Sequence, residues 1–122
     1  MKLPEKEEQV MSYLWKLKKA FMKDLLEAYP DPKPSPSTLA TNLKRLQQKK
    51  AVDFKTYGSV REYYPLISRN EYFSGKIKGV INNFFDGSKL EFASFFTSET
   101  ALSEEEILEL KKMLDEKLNS QK

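Results

Sequence analysis

Residues 35–65 constrain the fold of this chain more than any other segment: one amphipathic helix runs straight into a short β-hairpin. Ser35 is a good helix cap, and Pro36 suits the first helical position, where its missing N–H removes no bond. At about 100° per residue, Leu39, Leu43, Leu46 and Lys50 fall within one narrow arc. That predicts three leucines turned inward, with the Lys50 stem closing the end. Ser37, Thr41, Lys44 and Gln48 take the opposite side, and Thr38 and Arg45 flank them. After the helix, Val52–Lys55 and Val60–Tyr64 alternate, with β-branched and aromatic residues on either side of Tyr57-Gly58-Ser59. This is a hairpin signal, with Gly58 in the turn and Pro65 ending the second strand.

Upstream, Pro4 followed by Glu5, Glu7 and Glu8 opens a helix, because acids stabilise the positive end of its dipole. Val10, Met11, Leu14, Trp15 and Leu17 then recur at helical spacing, predicting a first helix over residues 5–17. A break at Lys18–Ala20 leads to a second helix near residues 21–29, with Phe21, Leu25, Leu26 and Tyr29 as its buried face. The run PDPKPSP holds four of the chain's six prolines and can only be an irregular turn. Three helices and a hairpin in this order are the elements of a winged helix-turn-helix. The predicted fold class is therefore mainly α with a small β-hairpin wing. A winged helix-turn-helix domain is expected over residues 1–68, and a helical dimerisation module over residues 69–122.

The evidence for that second module is apolar surface. Phe73, Ile77, Val80, Ile81, Phe84 and Phe85 form a stripe over residues 69–85, and Asp86-Gly87-Ser88 stops it. Phe92, Phe95 and Phe96, with Leu90, mark a short second helix. Ser103 with Glu106 makes a capping box for a last helix in which Ile107, Leu110, Leu114 and Leu118 share one face. Little else in the segment could cover these side chains. Exchange of helices between two copies would hide them, at about 25 cal/mol per Å² of apolar area. The other arrangement is a tail folded back on its own head.

Charge points to a partner for the first half. Residues 1–67 carry 13 Lys and Arg against 8 Asp and Glu, a net of +5, whereas residues 68–122 carry 8 against 10, a net of −2. Within residues 44–61 there are six basic side chains and one acidic one, Asp53. A basic head with an acidic tail fits polyanion binding through the head and protein contact through the tail. The exposed helix face suits the DNA major groove: its early part is small hydroxyls, which let a helix approach base edges, and its later part is cationic, which suits phosphates. The expected DNA-binding residues are Ser35, Ser37, Thr38, Thr41, Lys44, Arg45 and Lys49 on the helix, and Lys55, Tyr57 and Arg61 on the hairpin.

The chain has no cysteine and no histidine. That removes disulfides, structural zinc, thiol nucleophiles and histidine acid–base chemistry together, so an enzyme is disfavoured and no metal or cofactor is expected. No apolar run approaches bilayer length and the N-terminus lacks a signal-peptide core, which predicts a cytoplasmic protein without membrane insertion. Two other functions use the same fold: a winged helix devoted to protein–protein contact, and a small-ligand-responsive regulator of a different winged-helix family. The first would show no salt-sensitive duplex binding, and the second would differ in its trigger.

Three segments together resemble the penicillinase repressor (BlaI/MecI/CopY-like) family of winged-helix transcriptional regulators. LPEKEEQVMSYLWKL is similar to the family's opening E-x-x-V-M-x-x-L-W helix, and STLATNLKRLQQKKAV to its S/K-T-V-x-T-x-L-x-R-L-x-x-K-G recognition helix. YGSVREYYPLIS resembles its G-x-x-x-x-Y-x-P wing. The likeness is strong over residues 3–68 and weak beyond. It implies that Thr38 and Thr41 point into the major groove, that Arg45 contacts bases or nearby phosphates, and that Ser37 is a groove-facing polar residue. Tyr57 and Arg61 would lie along the backbone. Lys50 departs from the pattern, since many relatives have there the Gly that ends the helix.

The resemblance also implies a homodimer on a double-stranded operator. Its inverted half-sites would resemble TACA and TGTA, and occupancy would block RNA polymerase. In the β-lactam branch a protease linked to a membrane sensor cuts an Asn-Phe bond in the dimer module. The nearest matching place here is Phe95-Phe96, which departs from that pattern in having no Asn. The copper branch senses metal through a Cys-rich tail, which this chain lacks.

Overall fold

The structure, a computed structural model, describes residues 1–121 and contains α1 (Glu5–Leu17), β1 (Ala20–Phe21), α2 (Met22–Ala28), α3 (Pro36–Gln48), β2 (Val52–Tyr57), β3 (Val60–Pro65), α4 (Arg69–Phe84), α5 (Lys89–Glu99) and α6 (Glu104–Ser120). The three strands form one antiparallel sheet in the order β1-β3-β2. This is the expected mainly helical architecture with a hairpin wing. The chain divides into two compact units, residues 1–77 and 78–122, so the division falls inside α4.

In the first unit, the apolar faces anticipated from the sequence meet. Val10, Met11 and Leu14 of α1, Leu25 of α2, and Leu39, Leu43 and Leu46 of α3 are all buried, together with Val52 and Tyr63 of the hairpin. Buried aliphatic side chains at these spacings each stabilise the fold by about 1.5–3 kcal/mol. Leu17, the last residue of the α1 stripe, is instead exposed, and Phe21 and Leu26 are only half-buried. Strand β1 was not anticipated: two residues have no period to read, and pairing of Ala20 with Tyr63 and Phe21 with Glu62 defines it. The hairpin strands are also longer than expected. Tyr57 pairs with Val60, so only Gly58 and Ser59 make the turn, and Gly58 has a φ of 62°.

The end of α3 explains Lys50. The Ala51 N–H donates to the Leu46 carbonyl at 2.9 Å and the Lys50 N–H to that of Gln47 at 2.9 Å. This six-to-one and five-to-two pair of bonds needs a left-handed residue, usually glycine. Lys50 takes that role with a φ of 63° and is exposed, so its stem does not close the core. A side chain in this conformation costs about 1 kcal/mol. Lys49, one residue earlier, turns the other way and pairs with Glu7 of α1 at 2.5 Å. Glu7 is buried, so it serves as an ion-pair partner inside the unit beyond its place in the first turn of α1.

A second fastening holds the start of α4 to α1. Tyr72 is buried; its hydroxyl donates to the Glu8 carboxylate at 2.5 Å and accepts the Leu3 N–H at 3.2 Å. Lys76 reaches the same carboxylate at 2.8 Å. Trp15 donates from Nε1 to the Ile67 carbonyl at 2.9 Å, and its ring lies 5.8 Å from that of Tyr72 and 5.9 Å from that of Phe73. Lys76 and then Tyr72 hold the Glu8 carboxyl below the usual carboxylate range, while burial and then Glu8 push the Tyr72 phenol up. The lowered carboxyl stabilises the fold above its ordinary pKa and loses that effect as acid protonates it. The raised phenol does so below its ordinary pKa and loses it as strong base ionises it. The fastening is therefore complete at neutral pH. Tyr72→Phe strands a buried N–H and half of this network, and thermal or urea unfolding should show a loss of roughly 1–3 kcal/mol. An unchanged midpoint would mean that the network is replaced by water at no cost.

The second unit has local order and almost no interior. Ser88 caps α5 by accepting the Glu91 N–H, and Ser103 with Glu106 forms the capping box of α6. Helix α4 stops where the Gly87 N–H reaches the Ile81 carbonyl at 3.0 Å, with positive φ at Asp86 and Gly87. Phe85 packs on Phe92 and Phe95, with ring centroids 5.6 and 5.5 Å apart. Yet no residue from 78 to 121 is buried. Phe84 is 78% exposed, Leu90 84% and Leu114 68%.

Candidate nucleic-acid interface

Burial of Leu39, Leu43 and Leu46 fixes which side of α3 faces out. Ser37, Thr38, Thr41, Lys44 and Arg45 are all exposed. On one flank, Ala40, Lys44 and Gln47 form a cleft of about 640 Å³ with Phe54, Arg61 and Tyr63 of the hairpin. On the other, Thr38 and Asn42 border the turn that contains Pro30 and Pro34. The outward strip of α3 thus stands between a wing and a proline-rich shoulder, convex and free of covering protein within the unit. Ala40 and Gln47 were not singled out in the sequence, although both lie on the edge of the helical wheel nearest the wing.

The hydroxyls at the start of α3 have defined partners. The Ser35 side chain accepts the Thr38 N–H at 3.1 Å as the cap, and its Oγ donates to Thr38 Oγ1 at 2.9 Å. Ser35 Oγ also lies 3.2 Å from Ser37 Oγ. Thr41 Oγ1 donates back to the Ser37 carbonyl at 3.0 Å. Ser35 is therefore a structural cap as well as an exposed residue at this end. Further along, Lys44 and Arg45 have no ion-pair partner among the described residues.

The remaining expected cations are not all on one surface. Lys49 is held by Glu7 on the α1 side, apart from Lys44 and Arg45. In the hairpin, Lys55 stands opposite Glu62, Tyr57 opposite Val60, and Arg61 opposite Thr56. Side chains alternate along a strand, so Lys55 and Tyr57 lie on one face of the wing and Arg61 on the other. Tyr57 accordingly meets Phe21, with ring centroids 6.1 Å apart, while the Arg61 guanidinium stacks 4.3 Å above Phe54. Only the Arg61 face lines the cleft beside α3.

This arrangement of helix, cleft and wing has counterparts. Residues 3–116 match the Penicillinase repressor family, nearly the whole chain and well beyond the wing. The chain belongs to the penicillinase repressor family. Among its relatives is the penicillinase repressor of Bacillus licheniformis, 30% identical over 121 residues, covering 98% of this chain and 94% of that one. Another is the methicillin resistance regulatory protein MecI of Staphylococcus aureus, 29% identical over 110 residues and covering 89% of each. The solution structure of the DNA-binding domain of the repressor BlaI superposes with a TM-score of 0.52 at 29% identity, covering 58% of this chain and 88% of that domain. The penicillinase repressor family is one of transcriptional repressors, not enzymes. Membership extends the resemblance past residue 68 into α4, α5 and most of α6. Among the described residues no helix is long and apolar enough to cross a membrane.

Proposed function

We propose that the protein is a dimeric, sequence-specific DNA-binding repressor that places α3 in the major groove of an operator. The observation that carries this reading is the exposed strip from Ser37 to Arg45, whose hydroxyls and unpaired cations are backed by three buried leucines and flanked by a cationic cleft. Ser37, Thr38, Thr41 and Arg45 meet base edges. Lys44, Arg61, Lys55 and Tyr57 follow the phosphates, with the two faces of the wing straddling the backbone. Ser35 approaches it from the helix N-terminus, and Lys49, its charge offset by its pair with Glu7, makes no contact of its own. Likeness to the DNA-binding domain of BlaI supports the docking mode.

The dimer half of the proposal rests on the bare helices. Phe73, Ile77, Phe84, Phe95, Phe96, Ile107 and Leu114 are all exposed in one chain, and Val80, Ile81, Phe92 and Leu110 are only half-buried. Two copies sharing these faces would hide them and hold two heads at a fixed spacing, so that the repressor reads an inverted repeat in the cytoplasm. Cleavage at Phe95-Phe96 is not part of this reading, because that bond lies within the hydrogen-bonded α5 rather than in a loop. Selection of bound sequences from random duplexes should return an inverted repeat. Recovery of no sequence, with no duplex binding even at low salt, would leave the winged helix as a protein-contact module.

A further inference from the structure

The hydroxyl network at the start of α3 sets what each side chain can offer a base. Ser35 Oγ carries one proton and gives it to Thr38 Oγ1. Its contact with Ser37 must then have Ser37 as the donor, because Ser35 has no second proton to give. Thr38, whose oxygen receives a proton, keeps its own for an outside acceptor. Thr41 is the reverse: its proton is committed to the Ser37 carbonyl at 3.0 Å. This back-bond also fixes the side-chain torsion of an already stiff β-branched residue. What Thr41 presents outward is a methyl group and a lone pair, with no donor.

We infer that Thr41 reads the methyl group of a thymine in the operator. This deepens the DNA-binding proposal and rests on it. A major-groove thymine offers its C5-methyl and an O4 acceptor, and a side chain without a free proton gains only from the methyl. Guanine offers two acceptors there, which such a side chain cannot satisfy. Adenine and cytosine offer an amino donor to the Thr41 lone pair but no methyl, so only a thymine contact depends on the C5-methyl, while Thr38 and Arg45, on the neighbouring edge of the helix, supply donors. Helical rise separates Thr41 from Thr38 by about 4.5 Å and from Arg45 by about 6 Å, so their bases lie one or two steps away.

The test is a cycle between one atom group on the protein and one on the DNA. In the operator selected by the intact protein, each thymine is replaced singly by uracil, which lacks only the methyl. At one position, and its symmetry mate, wild type should lose about 4-fold in affinity, the value of one buried methyl-sized group. Thr41→Ser keeps the hydroxyl but not the methyl. It should lose the same factor on thymine and nothing more on uracil. Thr41→Val keeps a methyl and no hydroxyl, and should preserve the thymine preference. Residue 41 is exposed, so all variants should melt with wild type. Thymine-to-uracil changes without effect at every position would overturn the inference, as would a loss that persists in Thr41→Ser. In both outcomes duplex binding itself survives, whereas absence of any binding would sink the DNA-binding proposal too.

Discussion

A chain cut after Ile77 should sediment as a folded monomer and bind the selected operator about 100- to 10,000-fold more weakly than the intact protein. The cut is placed by the core of the first unit. Tyr72 is buried there and Phe73 packs on Trp15, so removal from residue 69 would take part of that core away. Removal from residue 78 takes away only helices without a buried residue. The loss in affinity comes from geometry, not from contacts at the DNA. When two heads are joined, the second binds at an effective concentration set by the connection, and that advantage vanishes in a single head. Analytical ultracentrifugation with titrations at fixed salt would measure both quantities. A fragment that remains dimeric would place the interface in residues 1–77, and one that binds as tightly as the intact protein would deny any role for pairing.

Arg45→Ala is expected to weaken binding to the selected operator by roughly 1–3 kcal/mol, about 5- to 150-fold, with a much smaller loss on random duplex. Arg45 is exposed on the outward strip and has no ion-pair partner among the described residues. Its planar fork can meet two acceptors of one guanine at once, the commonest specific contact in the major groove. Competition titrations with both duplexes would separate the possibilities. Equal losses on the two would assign Arg45 to phosphate, and no loss on either would remove the C-terminal half of α3 from the interface.

The helices were legible in the sequence because their signals are local. Ser35 with Pro36, and Ser103 with Glu106, announce two helix starts, and both caps are made as read. Leu39, Leu43 and Leu46 repeat at helical spacing and all three are buried. What escaped depends on partners distant in sequence. No local pattern marks Tyr72, and only the approach of Leu3 and Glu8 makes it a buried hub. Lys49 sits among cations in the sequence, and Glu7, far away in the chain, claims it. The wing residues share a loop in the sequence, but the pleat sends Lys55 and Arg61 to opposite faces once the register is known. The donor and acceptor pattern on α3 was equally hidden, since hydroxyl direction follows from neighbours rather than from residue type.

No residue from 78 to 121 is fully buried within one chain, which bears on control in the cell. For the dimer proposed above, abundance of the active species varies as the square of the monomer pool wherever monomers predominate. Halving synthesis, or doubling degradation, would cut the dimer concentration about fourfold in that regime by simple mass action, and promoter occupancy with it wherever the operator is far from saturated. Copy number then becomes a graded input to transcription, and the promoter would respond more steeply than to a regulator whose fold is complete in one polypeptide.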